Sequence, residues 1–362
     1  MCTFAAYYLS LPMEYPITIC GPCSVESEEQ MHDVAQNLTS HIKIDALRGG
    51  IWKPRTRPNS FEGKGKVALK WLKQAGTAIQ KPVATEVANS KHVEEALKHE
   101  IDILWLGART SVNPFAVQEI ADALKGTDVT VMIKNPINPD LSLWLGAIER
   151  VQGADIEKIC AIHRGFSTYE KSIYRNKPKW DIPIDFKRNM PEIPMICDPS
   201  HICGNRNLLR KVSQSAYDLN FDGLMIEVHP DPDKAMSDAQ QQITPSEVQE
   251  LMESLVIRKL KPSSEAKNLL DEFRDQIDAF DNELIEILYQ RMNVVEEIAK
   301  YKKKNKVTIY QPGRWDSIVN SRVYSGKAKG LSEKFIKSVF SAIHNESIEH
   351  QGQIMNKENV NN

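Results

Sequence analysis

The sequence predicts an α/β chain, a (β/α)8 barrel of the TIM type followed by a smaller all-α helical domain. Three features predict it. Short apolar or β-branched runs recur eight times between Ile17 and Pro230, most of them followed by a helix-like stretch. That rhythm stops after Glu250. From about Asn268 to Asn305 one helical pattern then runs without glycine or proline. Eight strands alternating with helices over about 240 residues match a barrel's usual size of roughly 250, with an open doubly wound sheet as the alternative on pattern alone.

The expected strands are 17–23, 46–53, 81–87, 103–109, 129–136, 158–166, 192–200 and 223–230. Between most of them lie segments such as EEQMHDVAQNL, KVALKWLKQAG, HVEEALKH and PFAVQEIADAL, apolar at i, i+3 and i+4. The barrel is thereby assigned to residues 1–255. Residues 256–267 hold Pro262, Ser263 and Ser264 among charges and read as a linker. The helical domain follows over 268–352, its long helix interrupted at Gln311-Pro312-Gly313, with a short helix next and another over about 332–350. Residues 353–362 read as a flexible tail. The long helix cannot bury its apolar stripe (Leu270, Phe273, Ile277, Phe280, Leu284 and onward) alone. It must pack on the barrel, on the later helices or on a second copy.

The chain's 362 residues suffice for one large domain and a smaller one. A formal net charge of −2 gives no reason to expect nucleic acid or an anionic membrane as partner, so an anionic substrate needs a local basic cluster. The N-terminal residues lack a basic region and a long apolar run, and no stretch approaches the roughly 20 apolar residues that cross a bilayer. The expectation is a cytoplasmic enzyme of small molecules, with Cys2, Cys20, Cys23, Cys160, Cys197 and Cys203 reduced.

Polar residues at the ends of barrel strands point to a site, because catalytic groups occupy the C-terminal mouth. Cys23 is expected to end strand one, His201 to follow strand seven, Glu227 to lie late in strand eight and Asp238 in the next loop. Taken alone, Cys23 reads as a buried small hydrophobe and His201 as a polar residue at a helix start. The four together make a sulfur, nitrogen and oxygen set suited to Mn, Fe, Co or Zn rather than Mg or Ca. A nucleophilic Cys–His pair is the rival chemistry. A second constellation is basic. It comprises Arg48, Lys53, Arg55 and Arg57 around strand two, Arg109 at strand four, Lys134 on strand five and Arg164 at strand six. Cations embedded in apolar strands imply anionic ligands, phosphorylated or carboxylated.

GPCS at 21–24, LRGGIWKPRT at 47–56, GAR at 107–109, IK at 133–134, HRG at 163–165, DPSH at 198–201 and EVH at 227–229 resemble the 3-deoxy-D-arabino-heptulosonate-7-phosphate (DAHP) synthases. The subgroup is the short one shared with the 3-deoxy-octulosonate-8-phosphate synthases, and the resemblance covers roughly residues 15–255. It implies that Cys23, His201, Glu227 and Asp238 bind a metal, manganese foremost. It also implies that Arg48, Lys53, Arg109, Lys134 and Arg164 hold phosphoenolpyruvate, and that Arg55 and Thr56 contact erythrose 4-phosphate. KPRT in place of a KANRTS-like motif favours the four-carbon aldehyde. The serine usual after KPRT is Arg57 here.

On the long helix, Arg291 and Lys302 are 11 residues apart and share a face, while Arg274, 17 residues before Arg291, points elsewhere. FRDQIDAFDNELIEILYQRMNVVEEIAKYKK, then Arg314, then ESIEHQ resemble the all-helical chorismate mutases over about 270–352. That resemblance implies a pocket of Arg274, Arg291, Lys302, Arg314, Ser347 and Gln351. It further implies a homodimer through the long helices, with Arg274 crossing to the partner's site. Gln311 and Trp315 replace the acidic residues common near Arg314. The expectation is a bifunctional shikimate-pathway enzyme with prephenate feedback through the helical domain. The alternative is a single-function synthase whose helices regulate or dimerise.

Overall fold

Runs of isoleucine, leucine and valine that are apolar on both faces belong in a parallel sheet covered by helices. The computed structural model describes residues 16–53, 61–169, 171–258, 264–310 and 312–356. Strands β1 (Ile17–Gly21), β2 (Ala46–Arg48), β3 (Val83–Val87), β4 (Ile103–Leu106), β5 (Thr130–Lys134), β6 (Ile159–His163), β7 (Met195–Cys197) and β8 (Gly223–Glu227) pair in parallel in chain order. β8 returns to β1, with Ile17 opposite Gly223 and Gly21 opposite Glu227, so the sheet closes into a barrel rather than opening into a doubly wound sheet. Closure brings the strands so near that a Cβ on Gly223 would lie 2.2 Å from the Ile17 carbonyl oxygen.

The covering helices are α1 (Glu28–His41), α2 (Val67–Ala78), α3 (Ser90–Lys98), α4 (Pro114–Leu124), α5 (Leu141–Gln152), α6 (Asp181–Asn189), α7 (Pro199–Cys203), α8 (Leu209–Asp218) and α9 (Pro245–Glu253). Several start on side-chain caps: Ser27 accepts from the Gln30 amide, Asn89 from His92 and Asp140 from Leu143. Thr244 and Glu247 form a reciprocal capping box on α9. Strand alternation divides the apolar residues into two layers. Ile17, Ile19, Ala46, Ala84, Ile103, Trp105, Met132, Ile162, Ile196 and Met225 belong to the cluster that fills the lumen. Leu47, Leu104, Val131, Ala161 and Cys197 belong to the larger core shared with the helices.

The strands end earlier than the apolar runs that announced them. β1 stops before Pro22 and β2 before the Gly49–Gly50 pair. β7 is confined between Pro194 and Pro199. Cys23, Arg109 and Arg164 therefore stand in the loops beyond their strands, not on the strand ends. The described cysteines, Cys20, Cys23, Cys160, Cys197 and Cys203, are free and buried.

The chain divides into two compact units, residues 1–260 and 261–362. The second consists of α10 (Ser264–Asn305), α11 (Pro312–Ala328) and α12 (Glu333–Asn356). α10 begins four residues before its sequence pattern, inside the segment expected as linker, and its 42 residues span about 63 Å. Val295 and Ala299 of α10 and Ile336, Ser347 and Gln351 of α12 are buried. Gly326 of α11 lets Ile336 approach, since a Cβ there would meet its Cγ1 at 2.6 Å. Leu270, Phe273, Ile277, Phe280, Leu284 and Ile287 remain 41–65% exposed. No helix among the described residues is long and apolar enough to cross a membrane.

Candidate active site

Because side chains alternate along a strand, the residue two positions beyond a lumen residue continues the same inner wall. Two beyond Ala46, Ala84, Met132, Ile162, Ile196 and Met225 stand Arg48, Glu86, Lys134, Arg164, Asp198 and Glu227. One geometric rule thus puts three cations and three carboxylates at the C-terminal mouth. With the loop residues Lys53, Arg109, Arg175, Asn176 and Asp238, and His201 of α7, most of them surround a cavity of about 600 Å³. That volume lies within the range of small-ligand sites.

At the base of this mouth, donor atoms of Cys23, Glu227 and Asp238 lie within 4.8 Å of one another. Cys23 Sγ is 3.4 Å from Asp238 Oδ2. His201 is adjacent to this trio without belonging to it, its Nε2 lying 3.8 Å from Glu227 Oε1. Its Nδ1 is 3.0 Å from Asp198 Oδ1, and Lys134 donates to Asp198 Oδ2 at 2.8 Å. A proton held on Nδ1 toward Asp198 leaves the Nε2 lone pair toward Glu227. Burial pushes the Cys23 thiol up to about 12, and the neighbouring Glu227 adds to the effect. Against its burial, His201, Arg48 and Lys53 hold the Glu227 carboxyl below its usual range. Against the same penalty, Arg175, His201 and Lys53 hold Asp238 low.

The cations around the cavity are tied down, each in its own way. Arg48 is 1% exposed, donates from Nη2 to Glu227 Oε1 at 3.1 Å and lies over the Trp105 ring. Its Nε and Nη1 find no acceptor among the described residues. Buried orphan donors of this kind call for an anion. Lys53 donates to the Cys23 carbonyl at 2.7 Å, and Arg164 to Asn176 Oδ1 at 2.8 Å. Burial brings Arg164 down to about 10, and the charges of Arg175 and Arg109 act in the same direction. An anion among them would relieve that repulsion. Arg55, Thr56 and Arg57 lie outside the described residues.

Glu86, Asp198, Arg175, Asn176 and Gln241 also belong to the site, and no pattern in the sequence gives them a role. Glu86 accepts from Trp105 Nε1 at 2.9 Å, and a Cβ on Gly107 would lie 2.2 Å from its Oε1. The phase of the strands is the signal that could have found Glu86 and Asp198. The other three sit on loops.

In the second unit, Arg291 donates from Nη1 to Ser347 Oγ at 2.6 Å, and Gln351 lies one turn further along α12. Gln351 Oε1 is buried with no partner among the described residues. Lys302 donates to the Ile309 carbonyl at 2.7 Å. Arg274 is not brought to this group. It is exposed and pairs with Asp271 at 2.8 Å, 17 residues and about 25 Å along the helix from Arg291. Arg314 lies on α11, and only its place on the helix is described; the side chain of Trp315 and the whole of Gln311 fall outside the described residues.

Residues 14–259 match the DAHP synthetase I family, and residues 273–352 match chorismate mutase type II. A phospho-2-dehydro-3-deoxyheptonate aldolase of Thermotoga maritima is 31% identical over 241 residues, 67% of this chain and 69% of that protein. A 2-dehydro-3-deoxyphosphooctonate aldolase of Desulfotalea psychrophila is 26% identical over 66% of this chain and 88% of its own length. Among solved structures, the Thermotoga maritima DAHP synthase superimposes with a TM-score of 0.60 at 30% identity, covering 71% of this chain and 70% of that one.

Proposed function

This chain belongs to the DAHP synthetase I family and carries a chorismate mutase type II domain, and from that premise we infer a bifunctional enzyme. Its barrel condenses phosphoenolpyruvate with erythrose 4-phosphate to DAHP and phosphate. Its helical unit rearranges chorismate to prephenate. The observation that carries the first activity is the clustering of one thiol and two carboxylates within 4.8 Å, beside a cavity walled by Lys53, Arg109, Lys134 and Arg164.

The cluster suits a divalent transition ion. Two carboxylate oxygens packed this closely repel one another, and a cation between them would remove that repulsion, with the Cys23 sulfur as a third donor once its proton is lost. Cys23, Glu227 and Asp238 would hold it, with His201 approaching from the side of Glu227. Such an ion, Mn before Fe, Co or Zn, would supply Lewis acidity toward the aldehyde oxygen. Arg48, Lys53, Arg109, Lys134 and Arg164 hold the carboxylate and phosphate of phosphoenolpyruvate and bring its C3 to the aldehyde carbon. As that bond forms, the aldehyde oxygen takes up a proton. Water adds at C2 and loses one, and the C2–O bond then breaks to release phosphate. Arg55 and Thr56 are assigned to the aldehyde's phosphate by the KPRT motif.

In the helical unit, Arg291, Lys302 and Arg314 meet the two carboxylates of chorismate, and Ser347 and Gln351 add hydrogen-bonding partners. The rearrangement needs no acid, base or covalent bond, only donors where charge grows and a compact conformer held in place. The unpartnered Gln351 amide oxygen beside Ser347 and Arg291 supports that assignment. Arg274 reaches such a pocket from a second copy of the chain.

The test follows both reactions in one preparation. Phosphoenolpyruvate consumption with erythrose 4-phosphate should vanish on chelation and return with Mn²⁺, while chorismate consumption should ignore the chelator. Consumption with arabinose 5-phosphate instead would move the barrel to the eight-carbon reaction. Consumption with neither would remove the reading.

A further inference from the structure

The loop between β6 and α6 places residues 175 and 176 across three parts of the mouth. Their backbone amides donate to the Cys203 and Ile202 carbonyls at 3.3 and 3.1 Å, strapping the loop onto α7, the helix that carries His201. Asn176 accepts from Arg164 at 2.8 Å and donates to the His201 carbonyl at 2.6 Å. Arg175 turns the other way. Its Nη1 donates to Asp238 Oδ1 at 3.1 Å and to Gln241 Oε1 at 2.8 Å. Gln241, 1% exposed, passes the connection on by donating from Nε2 to Glu227 Oε2 at 2.5 Å.

Each of the two clustered carboxylates therefore spends one oxygen on this chain of bonds and turns the other elsewhere. Asp238 Oδ2 faces Cys23 and Glu227 Oε1 faces Arg48 and His201. The arrangement is built rather than incidental. Asp238 is held in a left-handed backbone conformation, φ 48°. Gly204, itself at φ 67°, leaves room for the arginine stem, since a Cβ there would lie 2.5 Å from that of Arg175. We propose that Arg175, acting with Gln241, is a positioning residue that fixes the separation of the Glu227 and Asp238 carboxylates for a divalent cation.

This rests on the metal reading of Cys23, Glu227 and Asp238. The experiment therefore begins with the full chain, stripped by chelation and titrated with Mn²⁺, free ion being read by its paramagnetic resonance. Wild type should take up one equivalent and Cys23→Ala none. If wild type binds no stoichiometric Mn²⁺, the metal reading falls and takes this inference with it. Given that binding, Arg175→Ala and Gln241→Leu should each raise the Mn²⁺ dissociation constant about 10–100-fold, the usual effect of losing a ligand's supporting hydrogen bond. The double variant should be scarcely weaker than the worse single one, because the two side chains belong to one connection. Arg175→Lys keeps the charge but ends short of the Nη1 position, so its dissociation constant should fall between. The Co²⁺-loaded variants should show a shifted thiolate absorption band, while the metal-free chains unfold at the wild-type temperature. Wild-type Mn²⁺ affinity and Co²⁺ spectrum in Arg175→Ala and Arg175→Lys would overturn the proposal. So would a change confined to KM for the aldehyde phosphate, which would make Arg175 a substrate contact instead.

Discussion

Two buried side chains make the energetics of single residues accessible. His163 closes β6 on its outer side, 0% exposed, with the rings of Trp180, Phe166, Phe221 and Trp144 centred 5.2 to 6.3 Å away. Neither of its nitrogens makes a hydrogen bond of good geometry among the described residues, although the Pro178 backbone lies near enough to oppose the shift. Burial, reinforced by the charge of Arg164, brings it down to about 3. The unfolded chain binds this proton near pH 6.5, the native chain only near 3. Stability from this group is thus complete above 6.5 and is lost as pH falls toward 3, by about 1.4 kcal/mol per unit. Urea unfolding of the barrel should lose about 1.6 kcal/mol from this residue between pH 6.5 and 5, and His163→Phe should flatten that slope whatever it does to the absolute stability. An unchanged slope would mean the native ring already accommodates its proton. Asp198 offers the complementary case. It is 0% exposed and serves both Lys134 and His201. Asp198→Ala strands an ammonium that is 3% exposed, so unfolding free energy should drop by about 3–5 kcal/mol. The pair Asp198→Leu with Lys134→Met should recover a good part of it, because no buried charge is left over.

At the scale of elements, the eight-strand alternation was readable because β-branched runs and amphipathic stretches carry different periods. Strand ends were not, because apolar residues continue past the last ladder bond and only Pro22, Gly49 and Pro199 mark where pairing stops. The basic residues stood out as cations in apolar runs. Glu86 and Asp198 obey the same two-residue phase and were passed over because a single carboxylate has no anionic ligand to suggest it. Arg175 and Gln241 were beyond reach, since only the closed fold brings a loop after β6 to one after β8. Gly50 tests how tightly such loops are packed. Its amide donates to the Cys23 carbonyl at 3.2 Å, and a Cβ there would lie 2.4 Å from that oxygen and 2.9 Å from Lys53 Nζ. Gly50→Ala should destabilise the barrel by about 1–3 kcal/mol and lower synthase kcat/KM by more than about tenfold. Chorismate turnover in the same sample should stay at the wild-type level. A parallel fall in both activities would trace to global unfolding instead, and no fall in either would mean the loop yields freely.

At the scale of the whole molecule, the long helix of the second unit carries an apolar row that the helices of its own unit leave uncovered. Six large apolar residues from Leu270 to Ile287 form a continuous exposed row, far more than scattered surface hydrophobes require. The helix is straight enough in sequence, without glycine or proline, that Arg274 cannot fold back onto the Arg291–Ser347 pair about 25 Å along it. A second copy related by a two-fold axis would satisfy both demands, burying the row and delivering each Arg274 to the other's pocket. Sedimentation should then find no species smaller than a dimer, and Phe280→Asp should dissociate it and abolish chorismate turnover while phosphoenolpyruvate consumption persists. Complementation is the sharper measurement. Arg274→Ala and Arg291→Ala chains should each be mutase-inactive alone. Co-expressed, half of the randomly assorted dimers are mixed, and each mixed dimer holds one site with both arginines, so about a quarter of the wild-type sites should return. Recovery at that level requires the two arginines of one site to come from different chains. Persistent inactivity in dimers shown to be mixed would place both arginines of each site on the same chain, and the exposed row would then need another explanation.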